Sequence, residues 1–176
     1  MNSLSQTTLD ALLLLVTGNA ELWSIIRVSF STTLKAMLLA MPLAFMLSFI
    51  LSVARFRGRW LVISVFNTLL GVPTVVIGLS LYLLLSRSGP LGDLRLLFTE
   101  PAMIIGQMLI AFPLLVAMGL AAFSGADRRA WETTRTLGAS PFRAMLTLMR
   151  EVRFGLAAAG AAAYGRIISE VGCSMM

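Results

Sequence analysis

Two ionisable residues stand inside an apolar stretch near the end of the chain. Arg166 and Glu170 are four positions apart, so on a helix they face each other one turn apart. Insertion scales put the cost of a charge at the centre of a membrane helix at roughly 2.5 to 3.5 kcal/mol. The pair therefore indicates either a structural ion pair inside a helix bundle or part of a path for a charged substrate, and the two interpretations have equal support.

The segment before this stretch has the pattern of two short helices joined by a glycine turn. Asp127 can cap a helix from Arg128 to Leu137, and Gly138 suits the left-handed residue that ends such a helix. Ser140 followed by Pro141 is typical of an N-cap and a first helical residue. We therefore expect residues 124–153 to form a folded loop that can dock on a partner protein, and we call it the docking loop.

The second of these helices, from Pro141 to about Arg153, has one apolar face. The residues of this face are Phe142, Met145, Leu146, Met149 and Val152. Taken alone, the face fits a partner protein no better than it fits the membrane surface or its own bundle. The two helices with their caps, and Glu132 ahead of the turn, together favour docking on a partner.

Composition places the chain in a bilayer. Of its 176 residues, 58% are hydrophobic and only 12% are charged, too much apolar surface for one small soluble domain. The chain has no histidine and one cysteine, which excludes His/Cys metal sites, Cys-His nucleophiles and an internal disulfide. It also lacks a phosphate-binding glycine loop followed by Lys-Ser/Thr. We expect no catalytic site, no metal site and no ATP site in this chain.

Apolar segments predict about four transmembrane helices in an all-α protein. The first has its uncharged centre at Ala36–Val53, and the others are expected at Leu61–Ser86, at Pro101–Phe123 and from Phe154 to the end of the chain. Asn67, Gly71 and Pro73 interrupt the second segment, which can therefore tilt or kink. Lys35 lies one side-chain length inside the first boundary and can extend its ammonium to the interface. Glycines and alanines in the last segment permit close helix packing.

The N-terminal region predicts a helix lying in the membrane interface. The apolar run between residues 8 and 17 is too short to span. Asn19 can cap a further helix that places Trp23 at headgroup level. We assign residues 1–26 to this interfacial segment and residues 27–176 to the transmembrane domain. No Lys or Arg precedes Arg27, so the basic region of a cleavable signal peptide is missing and the N-terminus is expected to stay attached.

Positive charge predicts the orientation of the spans. Residues 55–59 carry three arginines and residues 124–153 carry six, whereas the loop at 87–100 carries two arginines and two acids. Short loops rich in Lys and Arg stay on the cytoplasmic side. Both arginine-rich loops are therefore expected inside, with the N-terminus and the 87–100 loop outside.

The docking loop resembles the Glu-Ala-Ala-x-x-x-Gly loop of ABC importer permeases, which pushes against the ATPase subunit. Glu132 stands six residues before Gly138, as in that loop. Thr133 and Thr134 replace the two alanines, and 148–151 differ from the Ile-x-Leu-Pro ending of the family.

The apolar segment that contains the ion pair carries a more specific resemblance. Residues 165–172 are similar to the Arg-x-x-(Ser/Gly)-Glu-x-Gly segment of permeases that import sulfate, molybdate and tungstate. Residues 67–73, 83–92 and 148–154 resemble the tungstate-type permease in particular. The similarity runs from about Glu21 to Val171.

The resemblance implies a type I ABC importer permease that moves tungstate inward by alternating access. It implies a permease homodimer, an external substrate-binding protein, and a cytoplasmic ATPase that binds ATP and Mg, so this chain needs no cofactor of its own. The positions implied in coupling to the ATPase are Glu132, Thr133, Thr134, Gly138, Pro141 and Phe142. The positions implied along the substrate path are Asn67, Arg166, Ser169 and Glu170.

Several alternatives stay open. The anion could be molybdate or sulfate, and Asn67 alone is more often an interhelical hydrogen bond than a ligand site. Family members continue past the Glu-x-Gly segment into a final membrane helix, so we expect the chain to lack the C-terminal part. A truncated, non-transporting membrane protein is therefore a further possibility.

Overall fold

The computed structural model describes residues 20–54, 56–126 and 128–170. These residues form helices joined by short loops, with no strand among them, which confirms the all-α prediction. The α-helices are α1 (Ala20–Val53), α2 (Arg59–Leu69), α3 (Thr74–Leu85), α4 (Glu100–Ser124), α5 (Arg128–Thr136), α6 (Pro141–Glu151) and α7 (Arg153–Ser169), with one 3₁₀ turn at Gly92–Leu94.

The two long helices α1 and α4 form the centre of the bundle and run in the same direction. Lys35 pairs with Glu100 at the start of α4, while the rings of Phe49 and Phe123 meet near its end, 5.8 Å apart. Residues 23–53 of α1 and all of α4 are long and apolar enough to cross a membrane. The first and third predicted spans thus appear as regular helices.

Small residues let the central helices approach closely. A Cβ atom on Gly119 of α4 would lie 2.7 Å from the Ser48 hydroxyl of α1. That hydroxyl lies 2.7 Å from the carbonyl oxygen of Ala44 and 3.0 Å from that of Val116, and its one hydrogen can be donated to either. Membrane helices gain much of their association energy from such close packing, because lipid is as apolar as their side chains.

Helix α7 packs antiparallel to α1 and α4. Near its start, a Cβ atom on Gly155 would lie 2.9 Å from Ala122 of α4. Further along, Tyr164 places its ring edge-on to Phe30 of α1, with centroids 6.4 Å apart. The small residues predicted to allow close packing in the last segment do so at Gly155. As a result, the α1–α2 connection and the docking loop lie at the same end of the bundle.

The predicted second span is broken. Helices α2 and α3 are separated by four residues, Leu70 to Pro73, and their axes differ by 98°. Pro73 is the N-cap of α3 and has an extended backbone. Proline has no N–H to donate to a helix and cannot continue one smoothly. The expected interruption of the Leu61–Ser86 segment is thus a sharp break, and the segment forms a third crossing if the bent pair is one span.

Two further helix boundaries bear on the predicted segments. Helix α1 runs without interruption from Ala20, so the expected boundary between residues 26 and 27 falls inside a helix; residues 1–19, including Asn19, lie outside the described residues. Helix α7 has 17 residues, slightly fewer than a regular span of about 20. Its predicted continuation into 171–176, with Cys173, also lies outside the described residues.

The Lys35 side chain forms an interhelical bond. Its ammonium donates to Oε1 of Glu100, and both side chains are about half exposed. Salt bridges with this exposure contribute little to stability. The pair nevertheless fixes the level at which α4 begins beside α1.

Candidate docking loop and polar cluster

The turn between α5 and α6 has the geometry that its sequence predicts. Gly138 has a φ of 85°, in the left-handed region, and a Cβ atom there would meet nothing within 4 Å. The amide of Gly138 donates to the carbonyl of Arg135 at 3.1 Å, and that of Ala139 to Thr134 at 3.2 Å. These bonds close the C-terminus of α5 as in a Schellman-type motif. Glycine is needed here for its backbone conformation alone.

The start of α6 is capped as predicted. The Ser140 hydroxyl accepts a hydrogen bond from the amide of Arg143 at 3.4 Å, and Pro141 occupies the first helical position. A serine N-cap satisfies one of the amides that a helix leaves unpaired at its start. The other expected cap, Asp127 before α5, lies outside the described residues.

The apolar face of α6 is divided between the bundle and the exterior. Met145, Met149 and Val152 pack partly buried against the main core. Phe142 and Leu146 are exposed, Phe142 by 64%, and Leu137 in the turn is 82% exposed. Part of the face thus packs on its own bundle, and the exposed apolar residues of the loop, Leu137, Phe142 and Leu146, are called the exposed patch.

An aromatic contact fastens α5 to the two central helices. The ring of Trp131 meets that of Phe49 in a T-shaped arrangement, with centroids 5.3 Å apart, and Phe49 in turn contacts Phe123 of α4. The Arg135 guanidinium lies over the Trp131 ring, 6.0 Å from its centroid. Edge-on aromatic pairs contribute about 0.5 to 1.5 kcal/mol beyond burial. The docking loop is therefore packed against α1 through Trp131 and Phe49, and through Phe49 it is linked to Phe123 of α4.

The remaining positions of the expected coupling motif lie on α5. Glu132 and Thr133 are exposed, while Thr134 is half-buried. The carbonyl of Thr133 accepts from the amide of Leu137 at 3.0 Å. The structure thus presents Glu132 on the surface of the same loop as the exposed apolar patch.

Three side chains from two distant segments form a polar cluster where α3 meets the end of α7. Thr74 donates a 2.6 Å hydrogen bond from Oγ1 to Oε2 of Glu170. Oε1 of Glu170 is 3.8 Å from Nε of Arg166. The Glu170 side chain is 21% exposed and that of Arg166 is 45% exposed. The expected Arg166–Glu170 pair is present, with Thr74 as an additional member.

A cavity of about 460 Å³ opens beside this cluster. Its lining comes from α1, α2, α3, α4, α7 and the bend between α2 and α3, and is mostly aliphatic and aromatic. Among the described residues that line it, Thr74 and Arg166 are the polar ones. The Arg166 guanidinium therefore lies at an apolar cavity with the Glu170 carboxylate 3.8 Å from its Nε, in surroundings where charges interact more strongly than in water.

The other two residues expected on the substrate path, Asn67 and Ser169, are not among the residues that line the cavity. Ser169 uses its hydroxyl to donate to the carbonyl of Arg166 at 2.8 Å, at the end of α7. Asn67 is exposed on α2 and does not line the cavity, although its neighbour Phe66 does. The structure brings Arg166 and Glu170 together and leaves Asn67 outside that group.

Two residues of these sites were missed by the sequence analysis. Thr74 is separated from Glu170 by 96 positions, and no local pattern connects them. Trp131 was visible as an aromatic residue within an otherwise polar helix, but its partner Phe49 belongs to the first span. Only the packing of α1 against α4 brings these rings together.

The amino-acid sequence is similar to those of several known permease proteins. No protein-family model matches the chain. It is 40% identical over 149 residues to a probable anion ABC transporter permease protein of Haloferax volcanii, covering 85% of this chain and 64% of that protein. It is 38% identical over 167 residues to the tungstate uptake system permease protein of Campylobacter jejuni, covering 95% of this chain and 70% of that protein. The molybdenum transport system permease protein of Escherichia coli K12 is 25% identical over 161 residues, covering 87% of this chain and 70% of that protein.

The apolar helices, the glycine-centred docking loop and these similarities define an integral membrane permease subunit. More particularly, the chain belongs to the tungstate-type family of ABC transporter permeases, whose members are membrane subunits of oxyanion importers. Its place is the inner cell membrane. The chain spans about two thirds of the length of the curated relatives that it matches.

Proposed function

We propose that this chain forms part of the path for tungstate in an ATP-driven importer and receives its energy through the docking loop. A cytoplasmic ATPase binds ATP and Mg, a second copy of the permease completes the path, and an external protein delivers the anion. The similarity to the tungstate permease of Campylobacter jejuni supports this assignment.

The observation that carries the proposal is the position of Arg166. Its side chain lines an apolar cavity beside the broken second span and is partly exposed. An oxyanion crossing a membrane needs a cation or polar donors to replace its hydration shell. Arginine offers five N–H donors in a planar fork that suits tetrahedral oxyanions.

The docking loop supplies the proposed connection to the ATPase. The loop exposes both the apolar patch of Leu137, Phe142 and Leu146 and, on α5, Glu132. A fixed turn and the Trp131–Phe49 contact join that surface to α1. Movement of the ATPase would therefore displace α1 and α4 as a unit, which is alternating access by rigid-body motion.

Molybdate is the second candidate substrate, favoured by the similarity to the molybdenum permease of Escherichia coli. Tungstate and molybdate share a tetrahedral shape and a double negative charge. The geometry of Arg166 does not separate them. Tungstate is preferred because the tungstate permease relative is more similar to this chain.

The test is anion uptake by the chain assembled with its ATPase and binding protein in proteoliposomes. We expect ATP-dependent accumulation of tungstate, with molybdate as a competitor and phosphate as a control. The ATPase should copurify with the permease. Copurification without accumulation of either oxyanion would show a non-transporting membrane protein and contradict the proposal.

Orientation is tested by labelling single cysteines in a Cys173→Ser background. Ser88 lies in the loop expected outside and Ser124 at the end of α4 expected inside, and both are exposed. An impermeant thiol reagent applied to intact cells should label S88C and should label S124C only after the membrane is opened. The reverse pattern would contradict the cytoplasmic assignment of the docking loop.

A further inference from the structure

The Thr74 hydroxyl joins the bend of the broken span to the charged pair on α7. We propose that Thr74 is a positioning residue that holds the Glu170 carboxylate away from Arg166, so that the Arg166 guanidinium stays available to the oxyanion. This inference rests on the proposed transport function. It assigns to Thr74, a residue that the family resemblance did not implicate, the role of positioning the Glu170 carboxylate through its hydroxyl.

The Glu170 carboxylate accepts a hydrogen bond from Thr74 and none from Nε of Arg166. The Thr74–Glu170 contact is 2.6 Å, a short hydrogen bond to a charged acceptor. The Arg166 Nε to Glu170 Oε1 separation is 3.8 Å, beyond the 2.7 to 3.2 Å of an N–H···O hydrogen bond. Arg166 and Glu170 thus attract each other electrostatically while Nε donates no hydrogen bond to the carboxylate.

The backbone explains why Thr74 can do this. Thr74 is the first residue of α3, directly after the N-cap Pro73. The break between α2 and α3 brings this first turn to the end of α7, where Glu170 adopts an extended conformation. The N-terminus of a helix attracts negative charge. The hydroxyl and the helix dipole therefore act in the same direction on the carboxylate.

Loss of the hydroxyl has a defined consequence. A carboxylate released from Thr74 is free to turn toward the guanidinium and form the two parallel hydrogen bonds that arginine and carboxylate favour. That internal pair would then compete with the anion for Arg166. Tungstate affinity would fall although Arg166 itself is unchanged. Removal of the carboxylate in the same variant would end the competition.

The experiment measures tungstate binding by equilibrium dialysis on the purified permease–ATPase complex without the binding protein. Thr74→Val keeps the side-chain shape but removes the donor, and should raise the Kd about tenfold, the size of effect expected when one charge-assisted hydrogen bond is lost. Thr74→Ser should bind nearly as the parent does. The double variant T74V/E170Q should regain most of the affinity. Thr68→Val, which removes an exposed hydroxyl bonded within α2, is the matched control and should not change the Kd.

Melting temperatures of all variants distinguish positioning from folding. A T74V complex that melts like the parent and binds tungstate as tightly would overturn the inference. So would equal weakening in T74V and T74V/E170Q, because a purely structural role predicts no rescue. Uptake by the parent without measurable binding would leave the proposed function intact and overturn the role of Thr74. A parent that neither binds nor transports tungstate would overturn both.

Discussion

The docking loop and the polar cluster are built over very different distances in sequence. The turn at Gly138 and the cap at Ser140 are closed by hydrogen bonds between residues three to five positions apart. The polar cluster joins Thr74 to Glu170, 96 positions away. A local structure of the first kind forms from its own residues, whereas the second exists only once the helices are packed. Mutations should therefore act locally in the first region and through tertiary structure in the second.

The two regions also differ in what they expose. The docking loop presents apolar side chains, and Leu137 and Phe142 are among the more exposed large hydrophobic side chains of the described residues. The polar cluster instead presents a partly exposed cation to an apolar cavity. An apolar patch with polar neighbours suits a protein partner, whereas a cation in an apolar cavity suits a small anion. The proposed docking surface and the proposed substrate path are thus chemically distinct.

The largest effect is expected from Arg166→Gln. This change removes the cation of the cavity and leaves Glu170 to repel the substrate, and should lower tungstate uptake by about thirtyfold, since a hydrogen bond to a charged group is worth about 1.5 to 3 kcal/mol. Glu170→Gln removes only the negative charge and should preserve or increase uptake. Uptake is compared at matched membrane levels. Equal transport by both variants and the parent would make the pair dispensable, and loss of expression in both would make it a folding element.

A smaller effect is expected from Gly138→Val in the docking loop. The position has a φ of 85° and open space around it, so the penalty is conformational, about 1 to 2 kcal/mol for a residue with a Cβ in this region. Less ATPase should copurify with this variant while the permease still reaches the membrane. Gly138→Asn is the control, because asparagine tolerates the left-handed region. Wild-type copurification with the valine variant would argue against a defined turn.

The smallest effect is expected from Trp131→Ala, which separates docking from transmission. Loss of the edge-on contact with Phe49 should cost about 1 kcal/mol. The ATPase should still copurify, but more ATP should be hydrolysed for each tungstate transported. Trp131→Phe keeps an aromatic ring and should behave like the parent. An unchanged ratio of ATP hydrolysis to uptake in W131A would show that α5 transmits movement by another route.

The sequence predicted those features that short-range chemistry decides. The glycine turn, the serine cap and the helices around Ala36 and Met108 follow from local propensity and apolar length, and all are present. The bend near Pro73 was visible as a possible kink, but its 98° angle depends on packing against α4. The partners of Glu170 and Trp131 could not be predicted because they come from other helices. Asn67 was placed on the path by resemblance, and the structure leaves it outside the group at the cavity.

The bend between α2 and α3 also has a consequence for hydration. Where two helices end at membrane depth, the last carbonyls of one and the first amides of the other leave the regular i to i−4 pattern. Lipid cannot satisfy such groups, so a break of this kind is stable only against protein or water. Leu70, Val72 and Thr74 line the cavity, so water that enters it would reach the backbone groups of this break. Amides in the first turn of α3 should therefore exchange with deuterium oxide far faster than those around Val116. Fast exchange there would show that water reaches the break while the centre of the bundle excludes it.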